Sequence, residues 1–165
     1  MLHFTSFKNK FLLPLHHRND IFHTAGLALR GYDMVTLFRK QQIAKGNKKY
    51  RLEYQGLDWL FESEENKAAF AERPEAYLPE FGGYCAWGAS NGYKAATKID
   101  TFSFINGKLY FNFSSYIREH WIADAEHFIA KARQNWPTTA GEEPIKANPT
   151  IIYLKYLIKG KRFFE

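Results

Sequence analysis

One cysteine, six histidines and a cluster of carboxylates are the side chains of this sequence that could do chemistry. Cys85 is the sharpest of them, set in Phe81-Gly82-Gly83-Tyr84-Cys85-Ala86-Trp87-Gly88. Glycines just before it permit close backbone approach, and a helix starting there would put the sulfur near free N–H groups that favour thiolate. A thiolate could act as a nucleophile in acyl or redox chemistry, or as a single ligand of a transition metal ion. The competing reading is a small buried apolar residue between Tyr84 and Trp87. Tyr84 and Trp87, with Trp59 from upstream, could line a pocket for a planar or apolar ligand. Small hairpins also need large side chains to cover both faces, so most aromatics are expected in the core.

The other candidates are weaker. His120 and His127 are seven residues apart, about 10 Å along one unbroken helix, too far to share a metal ion. Glu62, Glu64 and Glu65 could hold a hard cation, but they fall at an expected helix start, where acids are favoured by the helix dipole. No GxSxG, P-loop, HExxH or dinucleotide fingerprint occurs.

Positioning these residues requires the following elements. Asp33 caps a short helix through Phe38. Tyr50–Tyr54 and Leu57–Phe61 alternate apolar with polar residues around Gln55-Gly56, the pattern of a half-buried hairpin. Ser63 caps a helix with Phe70 on its inner face, and Pro74 ends it or begins a short turn carrying Tyr77. A short helix follows Gly82-Gly83. Thr101–Ile105 and Lys108–Phe113 form a second hairpin around Asn106-Gly107, a strong turn signal. Ser114 caps a helix to about Trp121, and Asp124 restarts helix through Phe128, Ile129, Ala132 and Trp136. The two hairpin-plus-helix units follow one another, but no internal repeat is read from them. The expected fold class is α+β: two small antiparallel β-hairpins packed with several short helices in a single domain, 25–137. An N-terminal extension, 1–24, precedes it; a linker, 138–149, and a basic aromatic tail, 150–165, follow.

At 165 residues, 45% hydrophobic and 18% aromatic, the chain can bury a real core, and disordered, collagen-like and coiled-coil classes are excluded. The net charge of +6 invites a nucleic-acid reading. Position argues against it: residues 21–149 hold 16 basic and 15 acidic side chains, so most of the excess lies at the two ends. Arg39–Arg51 carries six basic residues and no acid, while Glu53–Glu80 carries eight acids against Lys67 and Arg73. Such neighbours more often satisfy one another or stay solvated than bind a polyanion. The tail could meet a membrane surface or a partner, with docking on its own domain or on a second copy the preferred expectation. A lone cysteine makes no intramolecular disulfide. No apolar run is long enough to span a membrane, and Phe11–Leu15 makes a poor export signal. A cytoplasmic protein is expected, a periplasmic one if the chain begins elsewhere.

Several blocks occur in a telling order. They are Gly31-Tyr32-Asp33-Met34-Val35, then Tyr54-Gln55-Gly56-Leu57-Asp58-Trp59-Leu60-Phe61, then Phe70 with Pro74-Glu75-Ala76-Tyr77. Through them the chain resembles the YHS-domain family. Phe81–Gly88 and Asn106–Asn112 resemble its bacterial subgroup of small stand-alone proteins, and the likeness spans Leu27 to about Pro137, roughly two-thirds of the chain. The resemblance implies metal handling, with paired cysteines as suspected ligands in the helix after the hairpin and before its first strand. Here those positions are Glu62 and Asn66, with the earlier one near Thr36, so a copper(I) or zinc thiolate site is not carried over. Met34 stands where the subgroup tends to have proline, which costs preorganisation of a helix start. The expectation is a non-enzymatic module that binds a small ligand or metal ion near Tyr84, Cys85, Trp87 and Trp59. The alternatives are a thiol-dependent enzyme or redox protein using Cys85, and an interaction module docking through its tail.

Overall fold

The computed structural model describes residues 20–146 together with 148, 151, 152 and 154. Within them the chain is an α+β domain built from two sheets and five α-helices. Strand β1 (His23–Thr24) pairs antiparallel with β2 (Leu27–Ala28), and Leu27 bridges in parallel to Asp58 of β4 (Leu57–Phe61). Strand β3 (Asn47–Tyr54) completes this sheet, in the order β1-β2-β4-β3. The second sheet is the hairpin of β5 (Lys98–Ile105) and β6 (Lys108–Asn112). The helices are α1 (Met34–Lys40), α2 (Glu64–Glu72), α3 (Ala86–Ser90), α4 (Ser115–Ile122) and α5 (Ala125–Thr139).

The structure reveals a repeat that the sequence reading does not draw. Leu29-Arg30-Gly31 runs left-handed with φ of 46, 55 and 74°, and Phe81-Gly82-Gly83 does the same at 53, 60 and 80°. Each turn leads through a tyrosine, Tyr32 or Tyr84, to the residue that caps the next helix, Asp33 for α1 and Cys85 for α3. Each unit then has a hairpin closed by two left-handed residues, Gln55-Gly56 or Asn106-Gly107, as two-residue hairpin loops require. Each hairpin runs into a helix whose first turn is capped by a serine: Ser63 accepts from Asn66 N at 3.1 Å, and Ser114 from Ile117 N at 3.3 Å. Sequence alone hides this because the matched positions differ in chemistry: Asp33 against Cys85, Trp59 against Tyr110, Phe70 against Trp121.

Each unit encloses its own core. Met34, Leu37, Trp59, Phe61 and Phe70 fill the first; Phe81, Trp87, Ile117, Trp121 and Ile129 fill the second. Strand β6 divides them. Its period-2 alternation sends Leu109 and Phe111 into the first core and Tyr110 into the second, so both faces of this strand are buried.

Two boundaries move. A domain beginning at residue 25 would omit Ile21 and Phe22, which are buried. Phe22 N donates to Gly82 O at 2.8 Å and Phe22 O accepts from Leu29 N at 2.9 Å, so this segment ties the two left-handed turns together. At the other end α5 continues through Pro137 to Thr139, with Ala140 N donating to Trp136 O, where a linker is expected from residue 138. Asp124 precedes α5 without a side-chain capping bond. Beyond α5, Ile145 N donates to Lys94 O at 2.8 Å, and Ile145 and Ile152 pack on the second core. Residues 1–19 of the N-terminal extension and most of the 150–165 tail lie outside the described residues.

Candidate functional site

The residues expected to form one site divide between the two cores. Trp59 belongs to the first, 4.8 Å from Phe70 between ring centres, with its Nε1 donating to Tyr54 O at 3.2 Å. Tyr84, Cys85 and Trp87 do come together in or against the second, and none of them lines the three cavities described below. Tyr84 is wedged between Phe22, at 5.5 Å, and Trp136, at 6.2 Å. Trp87 lies edge-on to Tyr93 at 6.3 Å.

Cys85 is fully buried, and this changes its chemistry. Its Sγ accepts from Gly88 N at 3.5 Å, the bond that a polar cap makes, and its S–H faces Asn112 Oδ1 at 3.6 Å. Burial pushes the thiol up from 9.0 to about 11, against the smaller pull of the Gly88, Phe113 and Trp87 backbone groups. At neutral pH the side chain is therefore a protonated thiol out of contact with solvent. A nucleophile or metal ligand needs the opposite, an accessible thiolate. The glycines before it are explained by the chain itself: a Cβ on Gly82 would lie 1.5 Å from Asp20 O. What approaches the backbone there is the segment entering the domain.

The Asp33 carboxylate is the counterpart of Cys85 in the first unit and holds more together. It is fully buried; Oδ1 accepts from Thr36 N at 3.0 Å, and Oδ2 accepts from Glu62 N at 2.7 Å and Asn66 Nδ2 at 2.8 Å. Asn66 Nδ2 also donates to Thr36 Oγ1, which donates to Glu62 Oε2. Asp33 thereby fastens the start of α1, the end of β4 and the first turn of α2. A cleft of about 280 Å³ opens beside this network, rimmed by Arg39, Lys40 and Glu65. Glu64 and Glu65 are turned to Lys67 and Arg39, at 3.0 and 3.6 Å.

A third region emerges along α5. Glu126, Ile129, Ala130 and Arg133 wall a cavity of about 410 Å³ opposite the β5–β6 hairpin, and Arg133, Trp136 and Pro137 wall another of about 430 Å³ opposite Leu78–Gly82. Helical periodicity puts these α5 positions on one stripe, about 16 Å long. Between the cavities, Glu80 meets Lys108 at 2.8 Å and Arg133 at 3.8 Å, and Arg133 stands close enough to Tyr110 to act on its hydroxyl. Burial, with Glu80 nearby, raises the pKa of Tyr110, and Arg133 opposes the rise.

Residues 39–80 match the family model of the YHS domain. That stretch, about a quarter of the chain, is similar to the YHS domain. The match runs from the end of α1 through the β3–β4 hairpin, α2 and the Pro74–Tyr77 turn, which is most of the first unit. No curated protein and no solved structure matches the chain. The YHS-domain positions at which the resemblance implies cysteines do converge here, as Thr36, Glu62 and Asn66. Their donor set does not fit a soft metal ion. There is no thiolate among them, and Asn66 Nδ2, Thr36 Oγ1 and Glu62 Oε2 are engaged with one another. Among the described residues no three His, Cys, Asp or Glu side chains stand where they could share a metal ion. His120 and His127 lie on different helices, both against Phe128. No helix among the described residues is long and apolar enough to cross a membrane.

Sequence reasoning missed Lys94 and the α5 stripe. Lys94 is buried, its Nζ donating to Ala140 O at 2.7 Å and standing 4.9 Å over the Tyr84 ring. Burial lowers its pKa, and Asp20, Glu143 and Glu142 oppose the shift. A lysine in Gly92-Tyr93-Lys94-Ala95-Ala96, among small and aromatic residues, was the available signal. The stripe depends on which side of α5 the other described elements pack against, and no local pattern encodes that.

Proposed function

We propose that this protein is a non-enzymatic binding module that holds a small ligand with an apolar body in the trough along α5. The observation that carries the reading is the alignment of two cavities, about 410 and 430 Å³, on one stripe of one helix with Arg133 in both. Each has the volume of an ordinary small-molecule pocket. Apolar walls from Ile129 and Ala130 on one side and Leu78, Pro79 and Trp136 on the other offer burial, and a few polar groups offer orientation. The segment around Cys85 supports this trough from behind: Phe81 packs on Trp136 at 5.6 Å and on Tyr110 at 5.9 Å. In this reading Cys85 is a helix cap and core residue, neither nucleophile nor ligand. The probe 8-anilinonaphthalene-1-sulfonate should bind the native protein at low micromolar to millimolar concentration with enhanced emission, and Trp136→Ala should weaken it. Equal probe binding by wild type and Trp136→Ala would overturn the assignment.

A further inference from the structure

The class of ligand follows from the middle of the trough, and this inference rests on the trough being the binding site. Arg133 lies in both cavities, and among the described residues its guanidinium is only loosely engaged. Its contact with Glu80 is 3.8 Å, beyond hydrogen-bonding distance, and the neutral hydroxyl of Tyr110 lies near it. A guanidinium presents five N–H donors in a planar fork matched to a carboxylate or similar oxyanion. Lys108 stands on the other side of the same glutamate, at 2.8 Å, and is half exposed, as Arg133 is. Glu80 thus occupies the place between two cations that a ligand's anionic group would take. Its loose geometry toward Arg133 leaves room for a better-aligned acceptor, while apolar walls extend from Arg133 in both directions along α5. Glu126, seven residues from Arg133 on the helix, is the carboxylate lining the first cavity, and Glu80 and Asp20 line the second.

We propose that the trough selects small amphipathic carboxylates, the ligand carboxylate taking the free edge of the Arg133 guanidinium with Lys108 alongside, and the apolar body lying toward Trp136. Glu80 acts as an internal competitor that the ligand partly displaces. A cationic amphiphile would be repelled by Arg133 and Lys108 and would have to pair with Glu126, Asp20 or Glu80 instead, so it should bind less tightly than the carboxylate.

The test compares three probes of equal chain length, octanoate, octanamide and octylamine, by NMR titration of the full chain at low salt. Octanoate should bind about tenfold more tightly than octanamide, the scale of one charge-assisted hydrogen bond, and the preference should shrink with added salt. Arg133→Met should abolish the preference while octanamide still binds. Glu80→Gln should raise octanoate affinity severalfold, and Lys108→Met should lower it. Because Arg133 and Lys108 are half exposed, these variants are expected to keep the wild-type spectrum elsewhere. If octanoate and octanamide bind the trough equally, or octylamine binds best, the selection is overturned and the trough stands. If all three leave the trough residues unshifted, the trough itself is overturned, and the selection with it.

Discussion

Replacing Asp33 should unfold the first unit before it affects the second. Three donors depend on the carboxylate: Thr36 N, Glu62 N and Asn66 Nδ2. Asp33→Ala removes a helix cap, at about 1 kcal/mol, and strands two further donors, Glu62 N and Asn66 Nδ2, at about 1–3 kcal/mol each where water cannot replace the acceptor. The expected loss is about 4 kcal/mol, a large share of the ~5–15 kcal/mol that holds an ordinary domain. For a chain of this size that corresponds to a fall of roughly 8–16 °C in Tm. Asp33→Asn is the sharper variant. It preserves volume, but whichever way the amide is turned its NH₂ group opposes a donor, so it should cost nearly as much as alanine. Restoring an acceptor across the pair, with Asp33→Asn and Asn66→Asp together, should recover at least about 1 kcal/mol relative to the sum of the single changes. Thermal unfolding followed by far-UV circular dichroism measures all four. A fall under about 3 °C for Asp33→Ala, or no recovery in the double variant, would refute the picture of Asp33 as the joint between α1, β4 and α2.

Other consequences follow from the second unit. The Cys85 thiol is pushed up to about 11 in the folded chain, so the folded state holds its proton more tightly than the unfolded one. Its contribution is fully present below about pH 9 and is lost as pH rises toward 11; urea unfolding should show stability falling by up to about 3 kcal/mol over that window. Cys85→Ser, which keeps a capping oxygen, should fold and should flatten that part of the profile. Native protein at pH 8 should react with Ellman's reagent far more slowly than protein in 6 M guanidinium chloride, because the sulfur is buried; equal rates would place the thiol at the surface. Gly82→Ala puts a Cβ against Asp20 O and should destabilise by at least about 2 kcal/mol. Gly107→Ala, also at positive φ but with open space around it, should cost about 1 kcal/mol, so equal losses would contradict the close packing of Asp20 on Gly82.

Local signals carried the elements well. Asp33, Ser63 and Ser114 cap the helices they precede, and Gln55-Gly56 and Asn106-Gly107 turn the hairpins, because caps and tight turns are set by a few adjacent residues. Relations between distant segments were not legible. Trp59 and Cys85 look equally aromatic-flanked in sequence, yet β6 separates their cores. Gly82-Gly83 reads as space for a ligand, and the chain's own Asp20–Phe22 fills it. The resemblance points to Glu62, Asn66 and Thr36, but that Asp33 joins them depends on the packing of α1 against α2. The repeat was masked because a carboxylate and a thiol, both able to accept a capping hydrogen bond, share no sequence pattern. Pro137 suggested a linker, whereas α5 runs through it and carries the trough with it.

The four tryptophans give the most direct test of where this protein binds. Trp59, Trp87 and Trp121 are buried in the two cores, Trp87 two residues from Cys85, and Trp136 lines the trough. In a spectrum of the protein labelled with ¹⁵N at its tryptophan indoles, titration with 8-anilinonaphthalene-1-sulfonate should shift the Trp136 resonance progressively and leave the other three in place. Movement of Trp87 with Trp136 unmoved would contradict the account and return the site to the neighbourhood of Cys85.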